Sequence, residues 1–138
     1  MRVRQIDLAG NIGAATADLQ FTLDTTSTTL AVSSSSSKLK AGETANITFT
    51  FSETGYNFDY SDISVEGGTL SNLVQNAANR KIVTATFSPL VSSTMAGSIT
   101  VGNNYSDAAG NSGTSAVLVP VIAIDTAVPT VGISSGAS

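Results

Sequence analysis

The sequence predicts an all-β fold, two sheets packed face to face, and three observations predict it. Charged residues make up only 12% of the 138 residues, while serine (20) and threonine (18) fill the polar positions. Threonine suits a pleated surface, whereas Glu and Lys suit helices. Apolar and polar residues alternate in one stretch after another, the period of a strand with one buried face. Seven such stretches fall within about 100 residues, with turn signals between them, the pattern of a β-sandwich. A hydrophobic content of 41%, with 12 glycines besides, is enough to build its core.

Each element follows in order. The first strand is expected over 28–33. The 34–41 stretch begins in the five consecutive serines Ser33 to Ser37 and reads as the connection to the second strand, 44–52. There Ala45, Ile47, Phe49 and Phe51 alternate with Thr44, Asn46, Thr48, Thr50 and Ser52. Ile63 and Val65 mark the third strand, 61–66. Gly67-Gly68 then reads as a tight hairpin turn, because glycine reaches positive φ at no steric cost. Leu70 and Leu73 belong to the fourth strand, 69–75. Val83, Ala85 and Phe87 alternate in the fifth, 80–88, and Ile99 and Val101 mark the sixth, 97–103. The seventh, 114–124, carries Val117, Val119, Val121 and Ala123. Pro120 interrupts it and has to lie at an edge or a bulge, having no N–H for a ladder. No window carries a helical period. The expected architecture is a seven-stranded immunoglobulin-like Greek-key β-sandwich.

An internal repeat sets the organisation. Asp7-Leu8-Ala9-Gly10-Asn11 recurs as Asp107-Ala108-Ala109-Gly110-Asn111, and Leu23-Asp24-Thr25 recurs as Ile124-Asp125-Thr126. Thr29-Leu30-Ala31-Val32-Ser33-Ser34 resembles Thr130-Val131-Gly132-Ile133-Ser134-Ser135. Two linked matches in nearly one register define a period of about 100 residues. Residues 1–24 therefore read as the last strands of a preceding repeat, 25–125 as a complete domain, and 126–138 as a linker and the first strand of a following repeat. The overhangs are strand-like, Ala15 to Leu23 matching the last strand and Thr130 to Ser134 the first. Unpaired strands seek sheet edges, so exchange with another copy is a possible form of self-assembly.

Composition excludes several kinds of chemistry. There is no His, Cys or Trp. Ordinary zinc, copper, haem and iron–sulfur sites are therefore excluded, as are Ser–His and Cys–His nucleophiles. A net charge of −4 with six basic residues argues against a nucleic-acid partner. No apolar run approaches the ~18 residues of a membrane span. Met1-Arg2-Val3-Arg4 is followed by no apolar core and is not a secretion signal, so the start reads as a cut from something longer. The acids are scattered through turn motifs, without sign of a cleft, so an enzyme is not expected. A hard cation such as calcium remains open to the ten carboxylates.

On the sandwich plan, the loops after the second, fourth and sixth strands share the pole where the chain arrives. That N-terminal pole collects Asp24, Glu53, Asp59, Asp62, Asp107 and Asn111. Asp125 leaves the opposite, C-terminal pole as Asp24 arrives at this one. Calcium takes six to eight oxygen ligands from such loops, and a cation removes the repulsion of gathered carboxylates. A calcium site is expected from Asp24, Glu53, Asp59 and Asp107, helped by Asn111. Asp-x-x-Gly-Asn is also a good turn in its own right, with Asp accepting backbone N–H groups and Gly taking the left-handed position. Tyr56, Phe58 and Tyr60 alternate nearby and offer a second possibility, an aromatic platform for carbohydrate.

The runs Phe49-Thr50-Phe51-Ser52-Glu53 and Ser61-Asp62-Ile63-Ser64-Val65-Glu66-Gly67-Gly68-Thr69-Leu70-Ser71-Asn72 resemble the bacterial Ig-like repeats of giant surface adhesins. So do Asp107-Ala108-Ala109-Gly110-Asn111 and Asp125-Thr126-Ala127-Val128-Pro129-Thr130. The resemblance implies a tandemly repeated extracellular module, exported by type I secretion, that extends a stalk from the cell surface. It implies neighbouring repeats as partners and calcium at the junctions, carried over by motif position to Asp24, Glu53, Asp107 and Asp125. One departure is the linker Asp24-Thr25-Thr26-Ser27-Thr28, which lacks the proline found at Pro129.

Overall fold

The computed structural model describes residues 20–54 and 57–136. The expectations for residues 1–19, including most of the N-terminal overhang, lie outside the described residues. Nine short strands are described: β1 Leu30–Ser34, β2 Lys38–Lys40, β3 Ala45–Phe51, β4 Ile63–Glu66, β5 Gly68–Gln75, β6 Ile82–Pro89, β7 Ser98–Val101, β8 Ala116–Val117 and β9 Ala123–Asp125. One sheet has the order β1-β3-β6-β5 and the other β4-β7-β8. β9 joins β7's sheet through an antiparallel bridge of Gly97 with Ile122, and β2 lies parallel to β9 with Leu39 opposite Ile124. With β8 and β9 counted as one interrupted strand and β2 as an addition at its edge, this is the four-plus-three division of an immunoglobulin-like Greek-key sandwich.

The alternating residues face inward as expected. Ala45, Ile47, Phe49 and Phe51 of β3 and Val83, Ala85 and Phe87 of β6 meet Ile99, Val101, Leu118, Ile122 and Ile124 of the other sheet. Burial of these apolar side chains stabilises the fold at roughly 25 cal/mol per Å² removed from water. Leu70 and Leu73, three apart, both pack on this core. The spacing works because a β-bulge falls between Ser71 and Val74, with Asn72 at φ 53°, which turns the second leucine back inward.

Three expectations need correction. The 34–41 connection contains a strand, β2. The serines make the crossing between sheets: Ser34 Oγ donates to the Ser36 carbonyl (2.7 Å), Ser36 Oγ donates to that of Lys38 (2.6 Å), and Ser35 Oγ accepts from the Asn46 N–H (2.8 Å). The expected seventh strand is broken into β8 and β9 around the cis Val119–Pro120 peptide. Gly67-Gly68 is not a hairpin turn. β4 and β5 lie in different sheets, and Gly67, at φ 72°, is the corner between them. A Cβ on Gly67 would collide with the Ala96 carbonyl, which explains glycine there beyond its φ.

The chain arrives and leaves at opposite poles. Thr28 is fully buried at the N-terminal pole, where its carbonyl accepts from the Thr114 N–H (3.0 Å) and the Tyr105 hydroxyl (3.3 Å). Thr126 is buried at the C-terminal pole. Its N–H donates to the Ser93 carbonyl (2.9 Å), and its hydroxyl donates to that of Leu90 (2.6 Å) and accepts from the Ser93 N–H (2.8 Å). Beyond it, residues 127–136 form no strand, and Val131 and Ile133 are exposed.

Candidate metal centre

The loops of the N-terminal pole are tied to one another by backbone and side-chain bonds. Tyr105 carries the 102–115 loop into the core, where its ring packs edge-on against Phe51 and Phe58 with centroids 5.6 and 5.8 Å away. Its hydroxyl donates to the Thr114 carbonyl (2.7 Å), and Gly113 lies against the ring, where a Cβ would collide with it. Burial pushes the phenol above its ordinary value. Asn57 Oδ1 accepts from the Ser106 N–H and joins this loop to the one after β3.

The Asp107–Asn111 turn forms on this support. Asp107 Oδ1 accepts from the N–H groups of Ala109 (2.8 Å) and Asn111 (2.9 Å), and Gly110 takes φ 90°. Asn111 Nδ2 donates to Asp107 Oδ2 (2.9 Å) and also to the backbone carbonyl of Asp24 (3.0 Å). One amide therefore couples the turn to the incoming linker. The Asn111 side chain first, then backbone N–H groups, hold Asp107 below its ordinary 3.8.

Around this turn the fold gathers three carboxylates. Asp24, Glu53 and Asp107 each offer an oxygen, all within 4.8 Å of one another. Calcium–oxygen distances are about 2.3–2.6 Å, so two oxygens that close can share one ion and a small side-chain shift brings in the third. Burial, then the charges of Asp24 and Asp107, push Glu53 above its ordinary 4.5, with Lys81 acting against them. Lys81 itself is tethered through Nζ to the Ser52 carbonyl (2.7 Å). The donor set is anionic and all oxygen, the kind a hard divalent cation takes.

The remaining expected site residues lie elsewhere. Asp59 is not among the gathered carboxylates, and its own carboxylate caps a local turn. Its Oδ1 accepts from the N–H (2.7 Å) and hydroxyl (2.6 Å) of Ser61, capping the 3₁₀ turn Tyr60–Asp62. Those bonds, the Ser61 hydroxyl first, hold it below its ordinary 3.8. Asp62 completes the cap by accepting from the Asp59 N–H (2.9 Å) and is buried. Asp125 ends β9 opposite Lys40, at the other pole. The aromatic platform does not form among the described residues. Phe58 turns into the core against Phe49 and Phe51, and the Tyr60 hydroxyl accepts from the Leu73 N–H (2.8 Å), while Tyr56 lies outside the described residues.

Two residues that hold the linkers, Tyr105 and Thr126, were not singled out by sequence reasoning. For Thr126 a signal existed: it belongs to the repeated Asp-Thr pair. For Tyr105 none did, since a lone aromatic in a loop does not reveal that it faces inward.

No curated protein and no solved structure matches the chain. A family described as the bacterial Ig-like domain matches residues 24–124, or 101 of the 138. Domains of that family are typically extracellular or at the bacterial surface, and typically non-enzymatic. Among the described residues no helix is long and apolar enough to cross a membrane. The match begins at the linker residue Asp24, and it runs through both sheets to the last core residue of β9, so the chain belongs to the bacterial Ig-like domain family.

Proposed function

We propose that the chain is an extender segment of a repetitive bacterial cell-surface adhesin. Each sandwich acts as one rigid link, and calcium at the N-terminal pole stiffens the joint with the link before it. The observation that carries this reading is that the two chain connections lie at opposite poles, each hydrogen-bonded into the sandwich through Thr28 and Thr126. Such a module adds its own length to a string of modules. The sequence repeat supports the string itself, since the Asp-Thr pair stands at both connections. The chain's partners are then neighbouring repeats, outside the cell.

Calcium enters the proposal through Asp24, Glu53 and Asp107, with Asn111 fixing the linker. Without a cation, like charges crowd the point where the linker meets the sandwich, and Glu53 is the carboxylate pushed toward its protonated form. A bound divalent cation would neutralise that charge and hold Asp24 against the pole.

Thermal unfolding in calcium and in a chelator tests the cation. At about a hundredfold excess over Kd the fold should gain about 2.7 kcal/mol. Glu53→Gln should lose most of that gain while the chain still folds. An unchanged midpoint at millimolar calcium rejects the cation and leaves the extender role standing. X-ray scattering from proteins with two and three head-to-tail copies tests that role. The maximum dimension should rise by a constant step per copy, and side-by-side collapse would reject it.

A further inference from the structure

We infer that the C-terminal pole is a docking surface for the next Ig-like repeat, whose Ala-Ala-Gly loop tip, equivalent to residues 108–110, seats in an apolar groove there. The inference rests on the extender reading and names the contact that would rigidify the string. The groove has a volume of about 450 Å³; Pro89, Leu90, Val91 and Val128 give it a mainly apolar lining, shared with hydroxyl residues such as Thr126 and with Glu43, whose carboxylate is already held by Lys40. Val91 is 88% exposed, Val128 76% and Leu90 46%. Apolar side chains gathered on one exposed patch mark an interaction surface.

The occupant follows from the length of the linker. Thr126 is locked to this sandwich by its bonds to Leu90 and Ser93. In the repeat register Asp125-Thr126 corresponds to Asp24-Thr25, and Pro129-Thr130 to Thr28-Thr29. Thr28 is fully buried at the N-terminal pole, and Thr29 exchanges bonds with Ser52, its N–H to Ser52 Oγ and its carbonyl from the Ser52 N–H (both 2.9 Å). If the next repeat grips its own linker in the same way, only Ala127 and Val128 are left between two fixed points. Three residue steps span about 10 Å at full extension, which is the separation of packed β faces. The two poles are therefore in contact.

The tip is the part of the arriving pole placed to fill the groove. Ala108, Ala109 and Gly110 are exposed, and Asn111 bonds them to the carbonyl of Asp24. Asp24 corresponds to Asp125, whose neighbour Thr126 lines the groove. The next repeat's tip thus arrives beside Thr126. It carries no charge and no side chain beyond Cβ, so it enters an apolar groove without burying an unpaired polar side chain.

The chain has no cysteine, so introduced thiols report cleanly. The test joins residues 1–130 to residues 30–138, making two repeats with the native linker between them. Val91→Cys in the first repeat should react with a maleimide about tenfold more slowly than Val91→Cys in the single chain, because the thiol reacts only while the contact is open. Paired with Ala109→Cys in the second repeat, it should form a disulfide on mild oxidation. Paired with Val74→Cys on the β5 face of the second repeat, it should not. Equal reactivity in one and two repeats, or no disulfide with position 109, would overturn the inference. If the same protein still scatters as an extended pair, only the contact has failed. If it scatters as a compact pair, the extender reading has failed with it.

Discussion

At the N-terminal pole the chain is held by a buried tyrosine hydroxyl and lies beside three carboxylates, whereas at the C-terminal pole a threonine hydroxyl holds it beside a mainly apolar groove. Both poles fix the backbone through neutral hydrogen bonds to carbonyls. They differ in what lies around the clamp, a half-buried negative cluster at one end and the exposed Leu90, Val91 and Val128 at the other. The lesson is that anchoring and recognition are separable here. The clamps set where the linkers run, and the exposed groups set what each end can meet.

The largest perturbation should come from the clamp at the N-terminal pole. Tyr105→Ala removes a fully buried ring and the donor to Thr114, and should cost about 3–5 kcal/mol in urea unfolding. A loss under about 1 kcal/mol would mean that the 102–115 loop does not depend on the aromatic cluster. Thr126→Val keeps the shape at the opposite pole but leaves the Ser93 N–H without its acceptor and the Leu90 carbonyl without its donor. It should cost about 1–3 kcal/mol, and Thr126→Ser should restore most of it. Equal stability of the Val variant would show that this clamp is dispensable.

A smaller effect, and one confined to the N-terminal pole, concerns charge. Glu53 has a raised folded value, so its contribution is present below its unfolded value and is lost as pH rises through the folded one. Asp107 is lowered, so its contribution is present above its unfolded value and is lost as pH falls through the folded one. In chelator, Glu53→Gln should therefore raise the unfolding midpoint at neutral pH and lose that advantage well below 4.5, where Glu53 is protonated anyway. A pH-independent difference would place the effect in packing instead of charge. The least effect is expected at an ion pair of the C-terminal pole. Lys40 and Glu43 are 3.8 Å apart and largely solvated, so Lys40→Ala should change stability by less than about 0.5 kcal/mol, read from the same denaturation curves.

The core and the Asp107 turn were legible in the sequence. Phe49, Phe51, Val83 and Phe87 alternate with polar residues, and a turn of the Asp-x-x-Gly-Asn kind is built from bonds to its own backbone. β2 was not legible, because Lys-Leu-Lys offers one apolar residue and forms a strand only where Leu39 finds Ile124 from the far end of the chain. The site was half legible. Loop order located the acids at one pole, but Asp59 and Glu53 look alike as residues, and only the 3₁₀ turn at Tyr60–Asp62 commits one of them to a cap.

Local chemistry thus dictated the β class, the inward faces and the tight turn, since each depends on neighbours a few residues away. Closing the sandwich made the remaining choices: the corner at Gly67, the split of the last strand around Pro120, and the meeting of Asp24, Glu53 and Asp107. Those depend on pairings between residues tens of positions apart, whose loop-closure cost only the complete core can offset.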